Sequence, residues 1–445
     1  MKIDELLSKK ILVWGYGLEG RSSVDFLLKR GARESITVAD SAKIGEKLNG
    51  VKFIPEGDVL SSDFDIVIKS PGVSLYREEV ETLRNRGVVV SSALNILLAE
   101  TERLKKPKVI AITGTKGKST TATLCHFMLK NLGYRAALLG NIGISFLDCL
   151  DNLNSYDYLV LELSSCQTAN MLYDVNYSAV LNLFPEHIDW HRTHDNYFRD
   201  KMNINFFSHN RIINFEDEIT KKYRGEDKDY IYFNNGDGFH LDGDHICRGD
   251  KKLFDMREIN SIIGRHFFSN LNSIFTVFDM EKIDVEKAFK SLNGFKMLEH
   301  RVEKFFEDGK RNIIFINDSI STIPEATTEC LKTFDNYKNI RLALGGFDRK
   351  QNYDALAELI NKNEKIRVFL IGTTGEKLKK KIKNSAFFEN FDDLVSAMTN
   401  GLENDTAVLL SPASASFDMF KNFEERGRIF KETVRRKMSD NAVTV

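Results

Sequence analysis

The stretch Ala111-Ile-Thr-Gly-Thr-Lys-Gly-Lys-Ser-Thr-Thr121 decides how the chain folds. An apolar run from Val109 to Ile112 leads into it, and a helix-like segment with one apolar face follows as far as Gly133. A strand, a glycine loop and a helix in this order form a phosphate-binding loop, because backbone N–H groups and the helix N-terminus present partial positive charge to an anion. In such a loop Lys118 reaches the outer phosphates and the hydroxyl of Ser119 binds Mg²⁺.

Two alternatives to this interpretation of the loop have to be weighed. The common phosphate-loop pattern has a glycine where this chain has Ile112, so a plain glycine turn between a strand and a helix is an alternative. A GTPase is a further alternative, but its guanine-reading N-K-x-D pattern is missing. The nearest stretch, Asn361-Lys-Asn-Glu364, ends in glutamate.

A second glycine-rich loop lies near the start of the chain. Lys10–Trp14 reads as a strand and runs into Gly15-Tyr-Gly-Leu-Glu-Gly20, and the strand Ser35–Ala39 ends at Asp40. This is the dinucleotide-binding fingerprint, which makes a nicotinamide-dependent oxidoreductase an alternative function. A tight turn in an ordinary α/β unit explains the glycines equally well. Further strands are predicted at 65–69, where Ser70-Pro-Gly72 follows, and at 88–90.

Polar side chains also follow the strands of the middle region. Tyr158–Leu161 ends in Glu162, where an enzyme with a phosphate loop holds or orients Mg²⁺. A strand predicted at Ala179–Leu183 leads to Phe184-Pro-Glu-His-Ile-Asp-Trp-His191, and a helical segment bearing Lys201 comes next. His187 and His191 are spaced to hold zinc on a helix, but Pro185 favours a loop. For His191 and His194, packing or surface roles weigh as much as metal binding.

The last region again alternates strands and helices, which predicts a mostly parallel sheet. Its strands end in polar or glycine-containing loops, at Asn317-Asp-Ser319, Gly345-Gly346, Gly372 and Ser411-Pro412. The charged stretch Arg103–Lys108 reads as a linker to the middle region. A length of 445 residues also fits three domains of about 150 residues each.

Composition excludes several function classes. The net charge is −1, which gives no basic surface for nucleic acid or for a membrane. No apolar run approaches the ~18 residues of a membrane span, and the first ten residues lack the apolar core of a signal peptide. The five cysteines are scattered and form no C-x-x-C pattern, as is typical of a reducing cytoplasm. We therefore expect a cytoplasmic protein with small-molecule substrates.

Taken together, the motifs resemble those of the Mur ligases, in order and along the whole chain. The residues that carry the resemblance are Thr113-Gly-Thr-Lys-Gly-Lys-Ser-Thr120, Gly140-Asn-Ile-Gly143, Glu162-Leu-Ser-Ser165, Glu186-His-Ile-Asp189, His300-Arg301, Asn317-Asp-Ser319 and Ser411-Pro-Ala-Ser-Ala-Ser416. The resemblance implies an α/β fold with three domains. These are a Rossmann-like UDP-binding domain (1–104), a central ATPase domain with a phosphate loop and a mostly parallel sheet (105–298), and a Rossmann-like amino-acid-binding domain (299–445).

The resemblance is greatest to the members that add glutamate to UDP-N-acetylmuramoyl-L-alanine. It implies an ATP-dependent ligase of peptidoglycan synthesis that acts through an acyl phosphate, uses ATP and two Mg²⁺ ions, and works as a monomer. D-glutamate is the expected amino acid, with L-glutamate as the alternative. A folate polyglutamate ligase also adds glutamate, but the UDP-type first domain argues against it. A non-catalytic nucleotide-binding scaffold remains the alternative outside the enzymes.

The resemblance also implies roles for individual residues. Those that match catalytic positions are Lys118, His187 and Lys201. Those that match ATP-binding positions are Gly114, Thr115, Lys116, Gly117, Lys118, Ser119, Thr120, Asn270, Arg301 and Asp318. Those that match metal ligands are Ser119, Glu162, His187 and, if carbamylated, Lys201. Those that match contacts of the UDP-linked substrate are Gly17, Leu18, Glu19, Asp40, Ser41, Gly72 and Asn141. Those that match positions seating glutamate are Thr322, Arg349, Ser416 and Phe423.

Two positions depart from the family pattern. Ile320 stands where better-known members have a lysine, which removes a cation near the incoming amino acid and leaves the glutamate enantiomer open. Phe267 stands where they have an asparagine ahead of Asn270.

Overall fold

The computed structural model describes residues 3–32, 36–41, 48–226, 229–259 and 264–442. They divide into two compact units, the first of residues 1–260 and 266–295, the second of residues 261–265 and 296–445. The larger part of the second unit begins at residue 296, and the boundary predicted at 298/299 stays a prediction. The boundary predicted at 104/105 lies within the first unit and stays a prediction.

The first unit begins with a five-stranded sheet in the order β3-β2-β1-β4-β5, in which all pairs are parallel. Its strands are β1 (Ile11–Trp14), β2 (Ile36–Asp40), β3 (Val51–Pro55), β4 (Ile66–Lys69) and β5 (Val89–Ser91). Its helices are α1 (Ile3–Leu7), α2 (Leu18–Lys29), α3 (Glu78–Asn85) and α4 (Ala93–Leu104). The four strands predicted here are confirmed, apart from Ser35, which lies outside the described residues. Strand β3 was not predicted.

A six-stranded parallel sheet follows, in the order β11-β10-β9-β6-β8-β7. Its strands are β6 (Lys108–Thr113), β7 (Ala136–Gly140), β8 (Tyr158–Glu162), β9 (Val175–Val180), β10 (Ser208–Asn214) and β11 (Ile231–Phe233). The helices beside it are α5 (Lys118–Asn131), α6 (Ser165–Thr168), α7 (Ile188–His191), α8 (His194–Met202) and α9 (Glu218–Tyr223). Strand β6 is central and almost wholly buried, as its unbroken apolar run predicts for a parallel strand covered on both faces.

The first unit ends with a small antiparallel sheet and two helices. The strands are β12 (Phe239–Asp242), β13 (His245–Arg248) and β14 (Lys251–Asp255), and the helices are α10 (Arg265–Met280) and α11 (Val285–Ser291). One buried apolar cluster runs through the unit and contains Leu94 and Leu98 of α4 together with Phe146 and Leu153 of the middle region. This shared core explains why the first two predicted regions form a single unit.

The strand predicted at Ala179–Leu183 is shifted. Strand β9 ends at Val180, and the residues after it run beside the phosphate loop instead of continuing the sheet. The N–H of Leu181 donates to the carbonyl of Thr113 (3.0 Å), and the N–H of Thr115 donates to the carbonyl of Asn182 (2.8 Å). The apolar pattern of Leu181 and Leu183 reflects burial in this loop, which periodicity cannot distinguish from burial in a strand.

The second unit contains a six-stranded sheet in the order β15-β16-β20-β17-β18-β19. Its strands are β15 (Glu303–Asp308), β16 (Ile313–Asn317), β17 (Asn339–Gly345), β18 (Ile366–Ile371), β19 (Ser385–Phe388) and β20 (Thr406–Leu410). Its helices are α12 (Pro324–Thr333), α13 (Asp354–Asn361), α14 (Gly372–Leu378), α15 (Phe391–Thr399) and α16 (Phe423–Ala442). Only the edge strand β15 is antiparallel, so the predicted mostly parallel sheet is confirmed. Within the described ranges, no helix combines the length and apolarity needed to cross a membrane.

Candidate active site

The loop between β6 and α5 makes two turns that favour glycine. Gly114 has a φ of +153° and Gly117 a φ of +83°. A Cβ atom on Gly117 would lie 2.3 Å from Nδ2 of Asn270 on α10, so the loop and α10 are in direct contact. Since a side chain at position 117 would displace Asn270, glycine is required here for close approach as well as for backbone freedom. Asn270 and the phosphate loop are thus brought together.

Residues 182–184 run beside this loop and are hydrogen-bonded to it. The N–H of Lys116 donates to Oδ1 of Asn182 (2.8 Å), and the N–H of Phe184 donates to the hydroxyl of Thr115 (2.8 Å). The Thr115 hydroxyl also lies 2.8 Å from the hydroxyl of the buried Tyr197 on α8. These bonds fix the shape of the loop from three sides, and Ser119 and Thr120 are buried in the first turn of the helix that follows.

Three lysine side chains lie around the loop. Nζ of Lys201 is fully buried and donates to the carbonyl of Gly114 (2.9 Å), and Nζ of Lys118 donates to the carbonyl of Thr115 (2.9 Å). Lys116 forms an ion pair with Glu186 at 2.6 Å. Burial, followed by the charge of Lys118, lowers the pKa of Lys201 well below its ordinary value. Burial alone would raise the pKa of Glu186, but Lys116 and Lys118 bring it below the ordinary value.

Glu162 ends β8, beside the strand that leads into the loop. The carboxylate is buried, and its Oε2 has no hydrogen-bond partner among the described residues. A buried carboxylate oxygen without a partner is costly, so it fits a site where a cation binds. Oxygen ligands of this kind and the hydroxyl of Ser119 suit Mg²⁺.

The histidines of the loop after β9 have different environments. His187 has a φ of +54° and an exposed side chain, immediately before the single turn α7. His191 is fully buried, with Nδ1 2.6 Å from Oδ2 of Asp200 and Nε2 2.8 Å from the hydroxyl of Ser165. Both ring nitrogens of His191 are therefore engaged, and the zinc alternative for His187 and His191 is wrong. His194 is exposed. The described ranges contain no group of three or more His, Cys, Asp and Glu residues arranged to hold a metal.

The loop after β1 is held by a hydroxyl and a carboxylate. Gly15 has a φ of +92°, and its carbonyl accepts a hydrogen bond from the hydroxyl of Ser70 (2.7 Å). The N–H of Tyr16 donates to Oδ2 of Asp40 (2.6 Å). A Cβ atom on Gly20 would lie 1.9 Å from the carbonyl oxygen of Gly15, so only glycine fits there. Asp40 at the end of β2 thus reaches the glycine loop, and its role in binding a ribose stays a prediction.

The other candidates for the UDP-linked substrate lie mostly at the surface of the first unit. Leu18 is 83% exposed, and Gly17, Ser41, Gly72 and Asn141 are exposed as well. Glu19, in contrast, is half-buried and accepts a hydrogen bond from Nε2 of Gln167 on α6 (2.7 Å). Burial is the main cause of the raised pKa of Glu19.

Two of the ATP-binding candidates belong to the second unit. Arg301 is half-buried. Asp318 is buried, and its carboxylate accepts hydrogen bonds from the hydroxyls of Ser321 (2.6 Å) and Ser411 (2.8 Å) and from the N–H of Val302 (3.1 Å). Burial raises the pKa of Asp318 to about 6. Asp318 therefore ties together the loops that follow β16 and β20.

The candidates for glutamate binding follow the ends of strands in the second unit. Ser416 is buried, Thr322 is half-buried, and Phe423 begins α16. The guanidinium of Arg349 is exposed and lies 5.5 Å from the ring centroid of Phe417. Ile320 is half-buried, and its N–H donates to the carbonyl of His300 (3.2 Å).

Comparison with known proteins agrees with this arrangement. The family described as Mur ligase middle domain matches residues 112–273. A UDP-N-acetylmuramoyl-L-alanine–L-glutamate ligase of Xanthomonas axonopodis pv. citri is 32% identical over 459 residues, covering 97% of this chain and 96% of the relative. A UDP-N-acetylmuramoylalanine–D-glutamate ligase of Fusobacterium nucleatum is 32% identical over 448 residues, covering 96% of this chain and 99% of the relative. The chain belongs to the Mur ligase family.

A solved Mur ligase gives the same fold. The MurF ligase of Thermotoga maritima, determined in complex with ADP, has a TM-score of 0.59 at 16% identity and covers 99% of this chain and 100% of its own. This likeness supports the predicted α/β class. As a Mur ligase the chain is an ATP-dependent amide ligase of peptidoglycan precursor synthesis. Neither full-length relative named above supports the oxidoreductase or the scaffold alternative.

Sequence reasoning missed several residues of this Mur ligase that shape the site. Glu186 was quoted only as part of a motif, yet it pairs with Lys116. Tyr197 and Asp200 precede Lys201 on α8. The hydroxyl of Tyr197 contacts Thr115 of the phosphate loop, and the carboxylate of Asp200 contacts His191. Their spacing places them on neighbouring turns of one helix, but no pattern in the sequence identifies which loop each one meets.

Proposed function

We propose that this Mur ligase joins D-glutamate to UDP-N-acetylmuramoyl-L-alanine, with conversion of ATP to ADP and phosphate. The observation that carries the proposal is the set of lysines around one phosphate-type loop, with Lys118 and Lys201 donating to carbonyls of adjacent loop residues. The two full-length relatives support the nucleotide-linked substrate and glutamate, since both names contain them. D-glutamate is the amino acid of the relative that is covered over 99% of its length.

The reaction needs fixed positive charge. In the first step an oxygen of the substrate carboxylate bonds to the γ-phosphorus, and the bond from that phosphorus to the bridging oxygen breaks, releasing ADP. In the second step the neutral amine of glutamate attacks the acyl carbon, phosphate leaves, and the amine loses a proton. Because the first step brings two anions to ~3 Å, their repulsion must be offset by cations that are already in place. Lys118 meets this need.

We further propose that Mg²⁺ is bound by Ser119 and Glu162, and a second Mg²⁺ by His187 and a carbamylated Lys201. The unpaired Oε2 of Glu162 supports the first site. The lowered pKa of Lys201 supports the second, because only a neutral amine reacts with carbon dioxide and the carbamate formed is an anion. When bound, Mg²⁺ supplies charge neutralisation at the phosphates.

The remaining candidates divide the substrates among three proposed domains. Residues 1–104 hold the uridine diphosphate end through the loop after β1, and residues 105–298 hold ATP. Residues 299–445 bring glutamate, gripped by the guanidinium of Arg349, which matches a carboxylate in shape and charge. Arg301 and Asp318 of this last domain complete ATP binding. All five cysteines are free thiols, which supports a cytoplasmic enzyme, and we propose that it acts as a monomer.

The test is phosphate release from ATP in the presence of UDP-N-acetylmuramoyl-L-alanine and either glutamate enantiomer. We expect release with D-glutamate, and none when the nucleotide substrate or the amino acid is omitted. Turnover with L-glutamate but not with D-glutamate would support the proposed reaction and show that L-glutamate is the amino acid. Silence of the folded protein with both enantiomers would overturn the proposal. Tight NAD(H) binding, followed by fluorescence, would revive the oxidoreductase alternative.

A further inference from the structure

Arg426 is a buried cation at the carboxyl edge of the sheet in the second unit. It is the fourth residue of α16 and is 2% exposed. Its Nε donates to the hydroxyl of Ser319 (3.0 Å), Nη2 to the carbonyl of Ser319 (2.8 Å) and Nη1 to the carbonyl of Ala415 (3.3 Å). A Cβ atom on Gly346 would lie 3.2 Å from Nη1. The guanidinium therefore touches the loops that follow β16, β20 and β17, three neighbouring strands.

The charge of Arg426 is not neutralised by the residues around it. All three groups that accept its hydrogen bonds are neutral, and it forms no ion pair with a carboxylate of the described residues. Burial lowers its pKa to about 9, and Asp418 is the residue whose charge opposes that change. A guanidinium has five N–H groups, and the contacts within the described residues use three. A buried cation in this state favours an anion nearby.

A second buried arginine in the same unit lies at the opposite end of a helix. Arg341, on β17, donates to the carbonyls of Met398 (3.0 Å), Asn400 and Gly401 at the end of α15. These carbonyls carry the partial negative charge of the helix C-terminus, which stabilises a cation. Arg341 is therefore placed where a cation stabilises the fold.

Arg426 occupies the opposite kind of position. It lies in the first turn of α16, where the partial positive charge of the helix makes a cation unfavourable. The neighbouring Glu424 and Glu425 do not pair with it, and Glu425 accepts its bond from the N–H of Lys421. Capping therefore does not explain a cation here. Ligands of open α/β sheets bind beyond the carboxyl ends of the strands, which is where Arg426 stands.

We propose that Arg426 sets the affinity of this ligase for its anionic amino acid. Its hydrogen bonds join the loop that carries Ile320 to the loop that carries Ser416. Its positive charge lies in contact with both loops. Ile320 brings no charge to this edge, so Arg426 acts with the exposed Arg349 on a substrate that has two carboxylates. Arg426 is a positioning residue, because it acts through the two loops and through its electric field. The inference rests on glutamate being the amino acid, as proposed above.

The experiment measures KM for each of the three substrates in the full chain, with Arg426→Gln and Arg426→Lys as variants. Arg426→Gln removes the charge, so we expect KM for glutamate to rise about tenfold or more, with KM for ATP and for the nucleotide substrate within about twofold. Arg426→Lys keeps the charge but loses the forked geometry, so its KM for glutamate should rise less. Arg341→Gln is the matched control. It should lower Tm and leave KM for glutamate unchanged.

Glutamate binding is also measured by calorimetry, which does not require turnover. If the wild type uses glutamate but KM and binding are unchanged in Arg426→Gln, this inference is wrong and the proposed function stands. An equal rise in all three KM values, or the same rise in Arg341→Gln, would likewise reduce Arg426 to a structural role. If Arg426→Gln does not fold, the ratio of KM for glutamate to KM for ATP in Arg426→Lys decides. A wild type that neither binds nor uses glutamate would overturn both proposals.

Discussion

The first unit contains two glycine-rich loops of similar backbone design and very different chemistry. One follows β1 and the other follows β6, and each joins a parallel strand to a long helix. The first is held by the Ser70 hydroxyl and the Asp40 carboxylate, and the first turn of its helix bears a second acid, Glu19. The second has Nζ of Lys118 and Nζ of Lys201 on its backbone carbonyls, and the first turn of its helix begins with Lys118 and bears no acid.

The difference teaches that the turn itself does not specify the reaction. In both loops, backbone N–H groups and a helix N-terminus can hold phosphate. Only the second loop has Lys118 and Lys201 at adjacent carbonyls and a carboxylate oxygen of Glu162 without a partner. This contrast supports the proposal that the first loop holds the nucleotide-linked substrate and that the second takes part in phosphoryl transfer. Three substitutions test this contrast.

The largest effect is expected for Lys118→Ala. Removing this ammonium group takes away charge that offsets the repulsion between carboxylate and γ-phosphate, so kcat should fall by about 10³-fold or more. The nucleotide-linked substrate should still bind, because its loop is separate. Initial rates of phosphate release and calorimetric binding of that substrate measure the two effects.

Lys130→Ala is the matched control for this substitution. Lys130 is an exposed lysine in the last turn of the same helix, so its removal should leave both rate and binding within about twofold. Equal losses in the two variants, with unchanged Tm, would show that the position of the charge does not matter. The contrast between the loops would then fail.

The next largest effect is expected for Lys201→Ala. If the buried amine is carbamylated, its loss removes an anion that binds Mg²⁺, and kcat should fall by about 10²-fold. A small carboxylate such as acetate or formate should then restore part of the rate, whereas chloride at the same ionic strength should not. A variant that no carboxylate rescues would leave Lys201 as a cation that supports Gly114, and the second metal site would be withdrawn.

The sequence predicted the architecture well because buried parallel strands and glycine turns have strong local signals. Val109–Ile112 and the glycines at 114 and 117 were enough to place β6, the loop and α5. The environment of Lys201 was not predictable, since its contact with the carbonyl of Gly114 joins residues that are distant in sequence. The same holds for Arg426, whose neighbours Ser319 and Ala415 are distant in sequence and meet only when β16 and β20 pair.

Local signals were also weak where an apolar run lies in a loop. Leu181 and Leu183 extend the pattern of β9, and only the bonds of Leu181 and Asn182 to the phosphate loop show that the strand has ended. Strand β3 escaped prediction because it alternates between exposed and half-buried positions at the sheet edge. Function was inferred from the order of many short motifs, each of which is a weak signal alone.

The smallest of the three effects is expected for Gly20→Ala, which tests the first loop. The new Cβ would lie 1.9 Å from the carbonyl oxygen of Gly15, so the loop must shift, at a cost of about 1–3 kcal/mol. We expect KM for the nucleotide-linked substrate to rise about tenfold. KM for ATP should not change, because that loop and its lysines are not affected.

Gly57→Ala is the control, because no atom lies within 4 Å of the added Cβ and the backbone there needs no positive φ. It should leave both KM values and Tm unchanged.

Gly17→Ala sharpens the result, since its Cβ also meets no protein atom. A rise in KM for the nucleotide substrate in that variant, with unchanged Tm, would mean that the ligand itself approaches the backbone of this loop. An equal rise of both KM values, for ATP and for the nucleotide substrate, in Gly20→Ala would mean that the two loops act as one binding unit. The difference in charge between the loops would then not distinguish a loop that binds the nucleotide from a loop that transfers a phosphoryl group.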